Sequence, residues 1–286
     1  MDRYAVIGNP IAHSKSPYIH AVFARQTGQA LEYDRILAEP ADFPAVVAAF
    51  FAQGGGGLNV TIPFKEAAWR LAEERSPRAE LAQAVNTLIP LSDGRLRGDN
   101  TDGVGLVRDL TANQGFDFGG RRVLLLGAGG AARGVLRPLL DTGLAELTIA
   151  NRTADKARAL ALVTGESGRV TGCGLPELAG RRFDLIVNAT SAGLAGEVAP
   201  IPDDCLAPRG WTYDMVYGDT PTPFCRWGQA HGAARTLDGL GMLVEQAAES
   251  FRLWRGISPE TAPVIAALRA GVWDLIHPQM NANERK

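Results

Sequence analysis

A lysine in the first turn of a helix is a poor place for a purely structural charge. In Asn59-Val60-Thr61-Ile62-Pro63-Phe64-Lys65-Glu66 an apolar strand beginning at Gly57 breaks at Pro63, and a helix is expected from Phe64 onward. Thr61 and Lys65 then lie just past a strand end, where α/β folds present functional groups. The helix dipole opposes a cation at this position. It favours the neutral amine, which suits proton transfer near neutral pH. Read alone, Lys65 is more readily a solvated lysine on a first turn, and the rest of the sequence reverses that. The carboxylate that could face it is Asp102, in Gly98-Asp99-Asn100-Thr101-Asp102-Gly103. Such a pair would share a proton and orient the amine. The competing reading makes Thr101 or Asp102 the N-cap of a helix reaching about Leu110.

Ser14 and Ser16 flank Lys15 just ahead of Pro17. Two hydroxyls beside a helix N-terminus suit a carboxylate ligand. Ser16 before Pro17 also reads as an N-cap followed by a proline at the first helical position. Lys15 and His13 are expected in solvent. Asn59 and Asn86 border apolar strands, and a buried amide must be hydrogen-bonded, so each either braces the backbone or meets a polar ligand. Gln246 lies off the apolar stripe of its helix and is either exposed or ligand-facing.

A second set of residues points to a nucleotide. The apolar run Val123-Leu124-Leu125-Leu126 leads into Gly127-Ala128-Gly129-Gly130-Ala131-Ala132 and then a helix. In this strand–turn–helix setting the G-x-G-x-x-A pattern reads as a dinucleotide site. The small residues permit the tight turn, the close approach of a pyrophosphate, and close helix packing. The next strand, Glu146 to Ala150, ends in Asn151-Arg152-Thr153, with Lys156 shortly after. No acid stands at that strand end to hold a ribose 2′-hydroxyl, and Arg152 can fork onto a 2′-phosphate instead. A charge-assisted bond there favours NADP over NAD by roughly ten- to a hundred-fold. Asp155 is expected to start the following helix. Asn188-Ala189-Thr190-Ser191 ends another buried strand at the edge of the same cleft. Met215 and Tyr217 project from the carboxyl end of a strand over Trp211 to Tyr217. Met215 offers an apolar wall for a nicotinamide, or simply packs in the core.

The elements that must hold these groups are strands and helices in alternation, so the fold class is α/β. Strands are expected at Tyr4 to Ile7 and Glu32 to Leu37, with helices ending at Thr27, over Pro44 to Gln53, and through Trp69 and Leu71. A glycine-rich link, Gln114 to Gly120, precedes the nucleotide sheet, whose last strand is Gly232 to Leu237. A helix from Leu240 to Trp254, stopped by Gly256, and a final helix from about Glu260 to Ile276 are expected to pack back onto the first part. The chain's 286 residues suit two domains. Residues 1–102 with 239–286 form an α/β domain completed by the C-terminal helices, and 103–238 form a Rossmann-type NADP-binding domain. With 46% hydrophobic and 21% charged residues the composition is that of a soluble globular protein. A net charge of −2 supplies no field for nucleic acid or anionic membrane. Cys173, Cys205 and Cys225 are odd in number and lack metal-site spacing, which points to a reducing compartment and no metal. No run approaches the roughly 20 apolar residues of a membrane span. A cytoplasmic location is expected.

Together these motifs resemble the shikimate dehydrogenase family. The resemblance is carried by Ser14-Lys15-Ser16, Asn59 through Glu66, Asn86, Gly98 with Asn100-Thr101-Asp102, Gly127 to Ala131, Asn151-Arg152-Thr153, Asn188 to Ser191, and Gly239 with Gln246. It implies NADPH-dependent reduction of 3-dehydroshikimate to shikimate in chorismate and aromatic amino acid biosynthesis. It further implies that Ser14 and Ser16 hold the substrate carboxylate. Asn59, Thr61, Asn86, Asp102, Tyr217 and Gln246 would contact the ring and its hydroxyls. Lys65, assisted by Asp102, would pass the proton. Gly127 to Ala131, Asn151, Arg152, Thr153, Lys156, Thr190, Ser191, Met215 and Gly239 would line the NADP site. The implied partner is a small molecule, and a homodimer is left open. Lys156 departs from the second arginine many members carry, which weakens the fork onto a 2′-phosphate. The glycine run Gly54 to Gly57 has no functional reading.

Overall fold

Strands of two to nine residues, most of them separated by helices, fold into two six-stranded sheets. The computed structural model describes residues 1–190, 192 and 196–271. The first sheet contains β1 (Asp2–Gly8), β2 (Leu31–Leu37), β3 (Gly55–Val60), β4 (Glu74–Arg75), β5 (Thr87–Pro90) and β6 (Leu96–Asp99) in the order β2-β1-β3-β5-β6-β4. It is mixed: β1 runs parallel to β2 and β3, whereas β5 is antiparallel to both β3 and β6. Its helices are α1 (Ser16–Thr27), α2 (Phe43–Ala52), α3 (Lys65–Leu71) and α4 (Pro77–Ala82).

The second sheet contains β7 (Arg122–Leu126), β8 (Glu146–Asn151), β9 (Val170–Gly174), β10 (Phe183–Asn188), β11 (Leu206–Asp214) and β12 (Arg235–Leu237). Its order, β12-β11-β10-β7-β8-β9, is all parallel. This is the doubly wound dinucleotide-binding order, with the switch point between β7 and β10. Helices α5 (Asp102–Arg108), α6 (Gly130–Leu140), α7 (Ala154–Leu162), α8 (Pro223–Ala230), α9 (Leu240–Arg255) and α10 (Ala262–Arg269) complete the described chain.

Several boundaries differ from expectation. Lys15, not Ser16, occupies the N-cap position of α1, and no side chain caps that end. The helix after Asp102 extends through a π-helical turn, Asp109–Asn113, past Leu110. Strand β11 ends at Asp214, so Met215 and Tyr217 sit in the turn beyond it. Helix α10 stops at Arg269, and the part of the expected final helix beyond residue 271 lies outside the described residues.

The glycine run acquires a packing reason. A Cβ at Gly55 would lie 2.1 Å from Phe50, one at Gly56 2.8 Å from Tyr4, and one at Gly57 2.4 Å from the Trp254 indole. Strand β3 therefore runs directly beneath three aromatic rings, one of them from α9. Helix α9 also packs Val244, Ala247 and Phe251 against Tyr18, Ile19 and Phe23 of α1, which places it on the first sheet. Helix α5 is wedged between α6 and α9. A Cβ at Gly103 would be 2.6 Å from the Gly134 carbonyl, and one at Gly105 2.7 Å from the Met242 carbonyl and 2.8 Å from Gln246. This close approach carries Asp102 and Gln246 into one place.

Candidate active site

Lys65 is the first residue of α3, directly after the break at Pro63. Its Nζ donates to Asp102 Oδ2 at 2.6 Å, with side-chain exposures of 28% and 8%. Asp102 is fixed from its other sides. Its Oδ1 accepts from Asn86 Nδ2 at 2.8 Å, and its backbone N–H donates to Asn100 Oδ1 at 3.1 Å. Asn100 is anchored in turn through Nδ2 to the Ala84 carbonyl at 3.0 Å. The N-cap position of α5 belongs to Thr101, whose side chain does not cap. The carboxylate is thus free of a capping role and meets the lysine, in a charge-assisted bond roughly twice as strong as a neutral one.

This pair forms the floor of a cavity of about 500 Å³. Ser14, Ser16, Asn59 and Thr61 line one side, and Met215, Tyr217, Gly239 and Gln246 the other, with Asn86 beside Asp102. Ser16 N–H donates to Ser14 Oγ at 3.3 Å, so the serines share one tight turn. Arg35 secures that turn through Nε and Nη2 to the Ser14 carbonyl at 3.0 and 2.5 Å. Lys15, expected in solvent, is only 13% exposed, and its Nζ lies 3.8 Å from Asp219. His13 is exposed and borders the cavity. Asn59 is a heavily engaged brace. It accepts from Tyr33 Oη at 2.7 Å and donates to Ser250 Oγ at 3.0 Å and the Asn86 carbonyl at 3.2 Å. Gln246 Oε1 accepts from Asn86 Nδ2 and Thr101 Oγ1, both at 3.3 Å, which settles its position as inward-facing. Burial raises the Tyr217 phenol above its ordinary range.

A second cavity, about 760 Å³, lies over the glycine turn from Gly127 to Ala131 and reaches Asn151, Arg152 and Thr190. Gly127 adopts φ +106° and packs against the Ala189 carbonyl, where a Cβ would come within 3.1 Å. A Cβ on Gly129 or Gly130 would meet no atom within 4 Å. No side chain caps the start of α6. Open space above an uncapped helix N-terminus is the fit a pyrophosphate requires. A third cavity, about 980 Å³, continues past Asn151, Arg152, Thr153 and Lys156. Asp155 is engaged by Arg158 at 3.2 Å. Ser191 lies outside the described residues.

Asp214, which sequence reasoning passes over, holds the cofactor side in shape together with Asn188. Asp214, buried at the end of β11, accepts from Asn188 Nδ2 at 3.1 Å and Thr222 Oγ1 at 2.6 Å. Burial pushes its carboxyl above the usual range, against those hydrogen bonds. Asn188 accepts from Thr190 Oγ1 at 2.7 Å. Thr190 and Met215 are therefore set by one polar cluster. The available signal is a polar residue closing each of two apolar strands.

Thr61, Ile62, Lys65, Ala131, Ala189 and Thr190 border both the 500 Å³ and the 760 Å³ cavities. Lys65 stands where the two spaces meet. Among the described residues no cluster of His, Cys, Asp or Glu is arranged to hold a metal, and no helix is long and apolar enough to cross a membrane.

Family models match three stretches of the chain. Residues 6–88 match the shikimate dehydrogenase substrate binding domain, 110–195 shikimate / quinate 5-dehydrogenase, and 239–269 the shikimate 5′-dehydrogenase C-terminal domain. The shikimate dehydrogenase (NADP(+)) of Alkalilimnicola ehrlichii is 62% identical over 268 residues, covering 94% of this chain and 98% of that protein. An Ael1 enzyme from Pseudomonas putida superposes with a TM-score of 0.89 at 49% identity, covering 94% of this chain and 98% of the other. The shikimate 5-dehydrogenase of Thermus thermophilus, solved in complex with NADP(H) and shikimate, superposes with a TM-score of 0.84 at 36% identity, covering 94% and 99%.

Proposed function

The chain belongs to the shikimate dehydrogenase family, and from that premise we propose that it catalyses the reversible NADPH-dependent reduction of 3-dehydroshikimate to shikimate in aromatic amino acid biosynthesis. The observation that carries this reading is the Lys65–Asp102 pair at 2.6 Å where the two cavities join. Ser14 and Ser16, on the turn held by Arg35, receive the substrate carboxylate. Thr61, Asn86 and Gln246 meet ring hydroxyls, Asn59 keeps that wall in place, and Tyr217 closes the far side. NADPH supplies the hydride when bound. Gly127 to Ala131 fit its pyrophosphate. Asn151, Arg152, Thr153 and Lys156 fit the 2′-phosphate. Thr190, Met215 and Gly239 fit the nicotinamide end. Lys65 gives its proton to the oxygen that gains charge as the carbonyl is reduced, and takes it back in the reverse direction. Asp102 holds the amine aimed at that oxygen. Removing a group with this role costs about 10²–10⁴-fold in rate.

The same reading assigns residues 1–102 with 239–286 to the substrate and 103–238 to NADP. It carries a cytoplasmic location, supported by three unpaired, buried cysteines, and a homodimer, which sedimentation analysis decides. A dual activity on quinate is the second reading, because the matched family description covers both substrates. Steady-state nicotinamide absorbance with shikimate or quinate, each with NADP and NAD, is the test. Rapid reduction of NADP by shikimate alone is expected. Comparable turnover of quinate moves the protein to the dual class, and silence with all four pairs refutes the reading.

A further inference from the structure

The third cavity, about 980 Å³, is bordered by the end of α4, the start of α6 and α7. Arg133, Arg152 and Lys156 line it from the second sheet's side, and Glu66 and Glu80 from the first. Among the described residues none of the three cations is ion-paired; Arg158, not they, takes Asp155 and Glu177. Arg133 is absent from the motif-based site. It occupies the first turn of α6, where a cation opposes the helix dipole just as Lys65 does in α3. Its Nη1 donates to Gln83 Oε1 at 3.2 Å, a neutral acceptor from across the cleft. Gln83 closes α4 in the left-handed conformation, φ 49°, which few non-glycine residues adopt. Guanidinium carries five N–H donors, and among the described residues this single bond is the one Arg133 makes.

We infer that Arg133 is a third cation for the cofactor's 2′-phosphate, and that Gln83 is the partner it releases when the phosphate arrives. The inference rests on the NADP reading above. A 2′-phosphate carries up to two negative charges, and Lys156 offers a point charge without a fork. A second guanidinium in the same cavity restores planar, two-pronged recognition. Arg133 thereby becomes a determinant of NADP over NAD.

Binding titrations of the whole protein test this with NADPH, NADH and adenosine 2′,5′-bisphosphate as probes. For Arg133→Gln, affinity for NADPH and for the bisphosphate should fall about tenfold, with NADH unchanged within about twofold. Arg133→Lys should fall between wild type and Gln. Gln83→Ala should bind NADPH as tightly as wild type or more tightly, because the arginine is released in advance. Equal weakening of NADPH and NADH in Arg133→Gln, or no weakening of either, overturns the inference. So does Gln83→Ala weakening NADPH as much as Arg133→Gln, since Arg133 would then act only by bracing the cleft. A wild-type protein that binds NADH as tightly as NADPH fails the cofactor reading itself, whatever the Arg133 variants do.

Discussion

If Asp102 works through Lys65, removing both should cost little more than removing the lysine alone. Asp102 is 8% exposed and spends one oxygen on Lys65 and the other on Asn86. In Asp102→Asn the amide keeps a single acceptor. If the oxygen stays with Asn86, the new NH₂ faces the lysine and two donors oppose each other; if it turns toward the lysine, the new NH₂ opposes Asn86 Nδ2, which keeps only Thr101 and Gln246 as acceptors. Either way a charge-assisted bond worth about 1.5–3 kcal/mol is lost, which is roughly a ten- to hundred-fold fall in kcat. Lys65→Met should fall by about 10²–10⁴-fold. For groups in direct contact a coupling of about 2 kcal/mol is expected, so the double variant should be roughly thirty-fold faster than the product of the two losses. The assay is kcat by nicotinamide absorbance at saturating NADP and shikimate for all four proteins, with shikimate affinity measured separately by fluorescence. Losses that simply multiply would refute the claim that Asp102 acts through the amine.

Three further perturbations test the frame around the site. Gly105→Ala drives a Cβ to 2.7 Å from the Met242 carbonyl and 2.8 Å from Gln246. Such overpacking should lower unfolding stability by about 1–3 kcal/mol and raise KM for shikimate more than it lowers kcat; unchanged urea midpoints would contradict the packing argument. Glu249 is buried, which opposes its ionisation, but Arg252, Arg108 and Arg78 outweigh burial and hold it at about 2, below the ordinary 4.5. Its contribution to stability is full above pH 4.5 and is lost as pH falls toward 2, so denaturation of Glu249→Gln should show a flatter pH dependence in that window. His20 is stacked on Tyr33 at 4.1 Å, and burial holds its ring at about 3 rather than 6.5. The unfolded chain binds a proton more readily between those values, so stability should rise with pH from 3 to 6.5; His20→Phe should lose that slope, and an unaltered slope would place its origin elsewhere.

The residues legible in the sequence are those whose roles are set locally. Pro63 places Lys65 in a first turn, the glycine turn announces itself between an apolar strand and a helix, and Arg152 stands where an acid would signal NAD. What is not legible depends on partners far away in the chain. Asn59 reads as brace or ligand until Ser250, 191 positions later, arrives beside it, and Gln246 as exposed or inward until it meets Asn86 across 160 positions. Lys15 reads as solvated because the residue beside it, Asp219, comes from the loop after β11. The short strands β4, β6 and β9 carry too few residues for a period to show. The glycines at 103 and 105 look only like weak positions in an expected helix, yet their function is to let three helices touch.

The most direct measurement is a structure of the protein with NADP and shikimate bound. The account requires the substrate carboxylate on Ser14 and Ser16, the nicotinamide between Met215 and the ring, and the reacting oxygen about 3 Å from Lys65 Nζ. A ring bound the other way round, with its carboxylate on Lys65 and the reacting carbon away from the nicotinamide, would contradict it.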